Sequence, residues 1–262
     1  VARYFISFRF DGRNYHGWQS QHNAVSVQET LNNCLSIVFA QSVYAIGCGR
    51  TDTGVHARYF VAHFDLKEEI IDIKTHQFKL ESILPPDIGL LQLHQVTPEA
   101  HARFDATSRS YEYVIMKQNN PFIRHQAFYV YGKLNLEAMR EAASYIPGER
   151  DYSCFSKSNT QVKTNICKVT ALDIIEEHEL IIIRISADRF LRNMVRAITG
   201  TLLEIAHGKR QAIDMQLLIE SKDRRKAGFS APAHGLFLTD VQYPENIFLN
   251  LNLFSSGKEG SA

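Results

Sequence analysis

The order in which two hydrophobic periods alternate along the chain constrains its fold more than any other feature. From residue 3, apolar side chains recur at every second position. Tyr4, Ile6, Phe8 and Phe10 share one face, the pattern of a strand with one buried side. The period then changes. Ser26-Val27-Gln28-Glu29 fits a capping box, and Val27, Leu31, Cys34, Leu35, Val38 and Phe39 form one helical face behind it. Apolar runs at 43–46 and 59–64 read as strands. A second helix is predicted over 74–84, carrying Phe78, Leu80, Ile83 and Leu84, and Pro85-Pro86 ends it because neither proline nor the residue before it continues a helix. A strand over 89–96 completes the order β-α-β-β-α-β, the split arrangement of ferredoxin-like folds.

The second half repeats this pattern more loosely. Tyr111, Tyr113 and Ile115 alternate against Glu112, Val114 and Met116, and a strand is predicted over 126–131. Asn135 can cap a helix bearing Leu136, Met139, Ala143 and Ile146. A strand pair is predicted over 166–175 and 180–186, with the polar turn Glu176-Glu177-His178-Glu179 between. One long helix is expected over 190–207, with Gly208 as its C′ residue, then a short helix over 213–221 and a last strand over 235–243. These elements predict an α+β fold of two ferredoxin-like, RNA-recognition-motif-like halves. Their antiparallel sheets merge and leave a cleft between them. The expected boundaries are 1–105, 106–245 and a flexible tail over 246–262.

Composition narrows the function classes. At 262 residues and 45% hydrophobic content the chain can bury a proper core, and no apolar run approaches the length of a bilayer span. Its start enters a strand pattern without a signal-peptide layout, so a soluble, cytoplasmic protein is expected. Cys34, Cys48, Cys154 and Cys167 form no C-x-x-C pair, and the eleven histidines form no H-x-x-x-H pair, so neither a disulfide framework nor a structural metal is expected. A formal net charge of +1 requires any nucleic-acid binding to rest on local patches.

The stretch Gly47-Cys48-Gly49-Arg50-Thr51-Asp52-Thr53-Gly54-Val55-His56-Ala57 places a lone carboxylate at the tip of a glycine-rich loop between two strands. A plain turn with a surface ion pair has the same composition. In a cleft, a guanidinium from Arg50 or from elsewhere in the chain favours the charged carboxylate that a nucleophile requires. Asp52-Thr53-Gly54 also matches the aspartic-protease triplet. That chemistry needs two carboxylates sharing a proton, and there is no second Asp-[Thr/Ser]-Gly.

Other candidates follow the same two-sided reading. Tyr111 on its strand is either half-buried packing or a platform for an RNA base. Arg189, Arg192 and Arg196 recur at spacings of three and four, which places them on one helical face. Arg196 lies beside the apolar side, where an unpaired cation is costly, and so calls for an anionic partner. Lys209-Arg210 and Lys222-Asp223-Arg224-Arg225-Lys226 add local positive charge, either solvated or set against a phosphate backbone.

Taken together, these residues resemble the tRNA pseudouridine synthase family of the bacterial TruA type. The resemblance runs from about Tyr4 to Pro244. Gly49-Arg50-Thr51-Asp52-Thr53-Gly54-Val55-His56-Ala57 is close to the family's G-R-T-D-x-G-V-H-A. Phe10-Asp11-Gly12 with Tyr15-His16-Gly17-Trp18-Gln19 resembles its N-terminal block. Ala102-Arg103-Phe104 with Arg109-Ser110-Tyr111-Glu112-Tyr113 is similar to its tyrosine block, Phe190 to Arg196 to F-L-x-x-M-V-R, and Ala231 to Leu238 to A-P-A-x-G-L-x-L. Thr53, Phe10 and Ala187-Asp188-Arg189 depart from the usual pattern.

The resemblance implies isomerisation of uridine to pseudouridine in the tRNA anticodon stem-loop, at positions 38, 39 and 40, by a homodimer that needs no cofactor. It implies Asp52 as the nucleophile, Arg196 as its partner and Arg50 as the residue holding the flipped nucleotide. Tyr111 is implied as the base platform, with Leu238 and Arg103 in the substrate pocket. Arg192, Lys222, Arg224 and Arg225 are the cations expected along the RNA backbone. The rival class is a non-catalytic protein that binds structured RNA, which predicts binding without any change in the uridines.

Overall fold

The computed structural model describes residues 1–157 and 164–249. The chain begins with β1 (Ala2–Phe10), α1 (Val27–Val38), β2 (Ile46–Gly47), β3 (His56–Leu66), α2 (Ile73–Ile83) and β4 (Ile88–Val96). It continues with β5 (Ser108–Met116), β6 (Phe128–Tyr129), α3 (Leu136–Ser144), β7 (Gly148–Asp151), β8 (Ile166–Glu177) and β9 (Leu180–Ala187). Then come α4 (Met194–Ala206), α5 (Asp214–Ser221) and β10 (Leu236–Gln242). This is an α+β architecture. Among the described residues no helix is long and apolar enough to cross a membrane.

The strands join in one sheet in the order β4-β1-β3-β10-β5-β9-β8-β7, with β2 paired to β3 and β6 to β5. The pairings are antiparallel except two, β10 against β3 and β6 against β5. The parallel pair Phe237–His56 and Leu238–Ala57 lies where β3 leaves the Asp52 loop, so β10 meets that loop's base. Two large apolar cores lie along the sheet, beside a small cluster of Val114, Met116, Ala127 and Phe237. One is built mainly from residues 2–106 and receives Leu238, Val241 and Ile247 from the end of the chain. The other is built from residues 113–236 and receives Val55 from the Asp52 loop.

Local caps fix the starts of α1, α2 and α3. The Ser26 hydroxyl accepts from the Glu29 amide, Asp72 from Thr75 and Asn135 from Ala138, each satisfying an amide that the first turn leaves free. Four expectations need correction. β1 is covered on both faces, because Phe5 on its second face packs edge-on against Tyr243 and Phe248 from the far end of the chain. The expected apolar face of α2 is mostly outward: Leu80 is buried, whereas Phe78 and Ile83 are exposed. The long helix predicted over 190–207 begins only at Met194, since Asn193 sits in the left-handed region at φ 69 and breaks it from Phe190 to Arg192. Finally, ordered chain extends past residue 245. Glu245–Ile247 form a turn, Phe248 bridges to Val96, and the Leu249 amide donates to the Gln95 carbonyl. The remainder of the expected tail, 250–262, lies outside the described residues.

Candidate active site

The Asp52 loop is held by a second loop, residues 11–19, packed against it backbone to backbone. The Asp52 carbonyl accepts from the Val55 amide in a tight turn whose third residue, Gly54, has φ 78. Gly17, at φ 85, lies so close that a Cβ there would fall 2.2 Å from the Thr51 carbonyl oxygen. His56 closes the base of the loop. Its Nδ1 accepts from the Gly12 amide at 3.0 Å, and its Nε2 therefore donates to the His125 carbonyl at 3.0 Å. Burial lowers the His56 pKa, which favours this neutral tautomer.

The loop delivers Asp52 between two arginines. Arg196 Nη1 donates to Asp52 Oδ2 at 3.1 Å, and Arg192 Nε lies 3.5 Å from Oδ1. Arg196 is itself oriented, because its Nε donates to the Ala231 carbonyl at 2.7 Å and its own carbonyl accepts from the Ala231 amide. The expectation of one helical arginine face is thus corrected. Only Arg196 stands on α4, and the break at Asn193 lets Arg192 reach the same carboxylate from outside the helix. Asn193 is supported in turn: its Nδ2 donates to Ser230 Oγ, which also accepts from Arg224.

Tyr111, on β5, pairs in register with Leu238 on β10 and Ile185 on β9. Phe190 packs edge-on against its ring, with centroids 5.1 Å apart. Burial raises the Tyr111 hydroxyl pKa well above that of an ordinary tyrosine, with Cys48 and Asp52 adding to the rise, so the phenol stays protonated at neutral pH. Leu238 is buried beside it.

Arginines gather on the same rim. Arg50 is exposed on the loop, and Arg103 has its pKa lowered by burial and then by Arg50, Arg109 and Arg189. Arg109 acts as a bolt. Its guanidinium donates to the carbonyls of Ala106 and Asp188 at 2.7 Å, to that of Arg103 at 2.5 Å, and to that of Cys48 at 3.2 Å.

The structure therefore brings Asp52, Arg196 and Arg192 into contact and seats Tyr111 against Leu238. Arg50 and Arg103 come together on the rim. The other basic run is tied to partners of its own. Lys222 lies 3.5 Å from Asp151, Arg225 pairs with Asp223, and Arg224 donates to Gly228 and Ser230. Sequence reasoning missed the roles of Arg109 and Phe190. Arg109 stood in the sequence only as a member of the tyrosine block, and its four acceptors are all backbone carbonyls that no side-chain pattern reveals.

A carboxylate fixed by two guanidiniums, a protonated tyrosine and a guanidinium-lined rim suit an anionic substrate and nucleophilic chemistry at Asp52. The family model described as tRNA pseudouridine synthase matches residues 142–244. The tRNA pseudouridine synthase A of Bacteroides thetaiotaomicron is 50% identical over 251 residues, covering 95% of this chain and 93% of that protein. The chain belongs to the tRNA pseudouridine synthase A family. Proteins of the same name from Parabacteroides distasonis, 46% identical over 95% of this chain and 98% of that one, and Acetivibrio thermocellus, 39% identical over 91% and 98%, extend the likeness across most of the described residues. The family model itself spans α4 and β10, and so takes in Arg192, Arg196 and Leu238 but not Asp52 or Tyr111.

Proposed function

We propose that this chain isomerises uridine to pseudouridine in the tRNA anticodon stem-loop, with Asp52 as the nucleophile. Family membership carries the isomerase reaction on tRNA uridine. The observation that carries the residue assignment is the Asp52 carboxylate, held at Oδ2 by Arg196 and approached at Oδ1 by Arg192. In this reading the target nucleotide leaves the stem, because a base inside a duplex is out of reach of a side chain, and Arg50 holds it out. Tyr111 stacks on the uracil, and Leu238 and Arg103 line its pocket. Asp52 then supports breakage of the N1–C1′ glycosidic bond, by analogy with the carboxylate of retaining glycosidases; C1′ rejoins the uracil at C5, and the proton displaced from C5 is balanced by one gained at N1. The rearrangement is redox-neutral and is assigned no cofactor.

The finer architecture belongs to the same reading. Strand orders β4-β1-β3-β2 and β10-β5-β9-β8 support two ferredoxin-like halves, 1–105 and 106–245, with the cleft at their seam. The backbone contacts are assigned first to the rim cluster and Arg192, and second to Lys222, Arg224 and Arg225, whose internal partners compete with phosphates. Substrate bridging two copies of the chain, in the cytoplasm, completes the proposal.

The test is D52N. It removes the nucleophile while keeping shape, so pseudouridine mapping of undermodified tRNA should find no product while tRNA affinity holds. Turnover by D52N removes Asp52 from the chemistry.

A further inference from the structure

Phe104 is a large aromatic side chain that the fold goes to some length to expose. It is 73% accessible, on a turn fixed from several directions. The His101 amide donates to Asp105 Oδ2 at 2.7 Å, and the amides of Phe104 and Asp105 donate back to the His101 carbonyl. The Arg103 amide donates to His101 Nδ1 at 3.1 Å. Next to it, the Ala102 amide donates to His63 Nδ1 on β3, and the Ala102 carbonyl accepts from the Tyr243 hydroxyl at 2.6 Å. A turn tied to β3 and to the residue just beyond β10 holds its tip side chain in place before any partner arrives.

The position of that tip is set by Arg109. The same guanidinium binds the Arg103 carbonyl, next to Phe104, and the Cys48 carbonyl, four residues before Asp52. The ring thus stands beside the Asp52 loop among guanidiniums of one sign. Arg103 lies over it at 5.6 Å from its centroid and feels the charges of Arg50, Arg109 and Arg189. The His101 ring backs it, with centroids 4.2 Å apart. A single exposed ring among cations is not the contiguous apolar patch that a protein interface uses. Aromatic faces between cations are how proteins hold unpaired bases.

We propose that Phe104 is a base-stacking residue, which receives a nucleobase of the substrate RNA uncovered when the target uridine leaves its stem. This rests on the reaction proposed above and adds a second aromatic contact to it, distinct from Tyr111. Displacing one nucleotide exposes the face of its neighbour, and a preformed ring at that place offsets the lost stacking. Its fixed turn means little ordering is needed on binding.

The test compares F104L, which keeps apolar bulk but no π face, with F104W, which keeps the face. F104L should lower kcat/KM for pseudouridine formation roughly 5- to 100-fold, the usual loss of one base–aromatic stack. F104W should retain most of the activity, and both should melt like the unsubstituted chain because the side chain is exposed. F104W also reports directly: the chain's own Trp18 is buried at 2% accessibility, so new emission quenched by added tRNA comes from the substituted position. Three outcomes overturn the proposal: F104L matching the unsubstituted chain in affinity and turnover, F104L and F104W losing activity equally, or F104W emission unchanged at saturating tRNA. If the unsubstituted chain makes no pseudouridine, the reaction reading fails instead, and F104W quenching still decides the stack.

Discussion

At the scale of single residues, the two arginines at Asp52 are not equivalent. Arg196 is largely covered, with 20% of its side chain accessible, and spends a second donor on the Ala231 carbonyl, so its geometry is fixed before substrate arrives. Arg192 is 59% accessible and 3.5 Å from Oδ1, a contact that solvent screens. R196M should therefore lower kcat on the order of a hundredfold, the scale seen when one fixed electrostatic partner is removed from a site, with little change in tRNA affinity. R192M should act mainly on affinity. Single-turnover rates and binding titrations on both variants check this, and an equal fall in kcat would show that exposure does not rank them. Asp52 itself was legible from its glycine-rich loop. The need of Arg196 for an anionic partner was legible too, because a cation beside an apolar helical face has to be paired. That Arg192 shares the carboxylate was not, since it depends on one left-handed residue, Asn193, that spacing rules treat as ordinary helix.

At the scale of elements, His63 ties β3 to the 101–105 turn by accepting the Ala102 amide, which requires an unprotonated Nδ1. Burial, aided by His101 and Arg3, lowers its pKa to about 4. The unfolded chain protonates near the ordinary value of about 6.5 and the folded chain does not, so stability is full above that pH and declines as pH falls toward 4. At pH 5 the loss from this one group is on the order of 2 kcal/mol. Melting temperature should thus fall between pH 7 and pH 5, and H63Q should flatten that fall while lowering stability at pH 7. An unchanged pH slope in H63Q would place the titration elsewhere. Such long-range ties also explain which elements could be read in advance. Ser26 and Asn135 cap their helices through neighbours three residues on, so the starts of α1 and α3 lay open in the sequence. β7 is too short to show a period, and the second buried face of β1 depends on Tyr243 and Phe248, more than two hundred residues away.

At the scale of the whole molecule, a net charge of +1 conceals an uneven distribution. Arg58 and Arg184 share Glu112, Arg210 pairs with Glu204, and Lys222 and Arg225 pair with Asp151 and Asp223, so these cations have little field to offer a polyanion. Around the Asp52 loop the balance differs. Arg103 feels the like charges of Arg50, Arg109 and Arg189, and Arg109 among them is satisfied by neutral carbonyls. Like charges held together in a folded protein are unfavourable until a polyanion neutralises them, so this rim, not the basic run after α5, should dominate the salt dependence of RNA binding. A triple variant, R50Q/R103Q/R189Q, should weaken tRNA binding and reduce the slope of log affinity against log salt by about 2 to 3, close to one unit for each lost phosphate contact. A K222Q/R225Q pair should shift the slope by well under one unit, since each side chain already has a carboxylate. Titrations of both variants across a range of salt concentrations separate the cases. If the pair carries the larger change, the phosphate backbone runs along the segment after α5, and the rim arginines act on the flipped nucleotide alone.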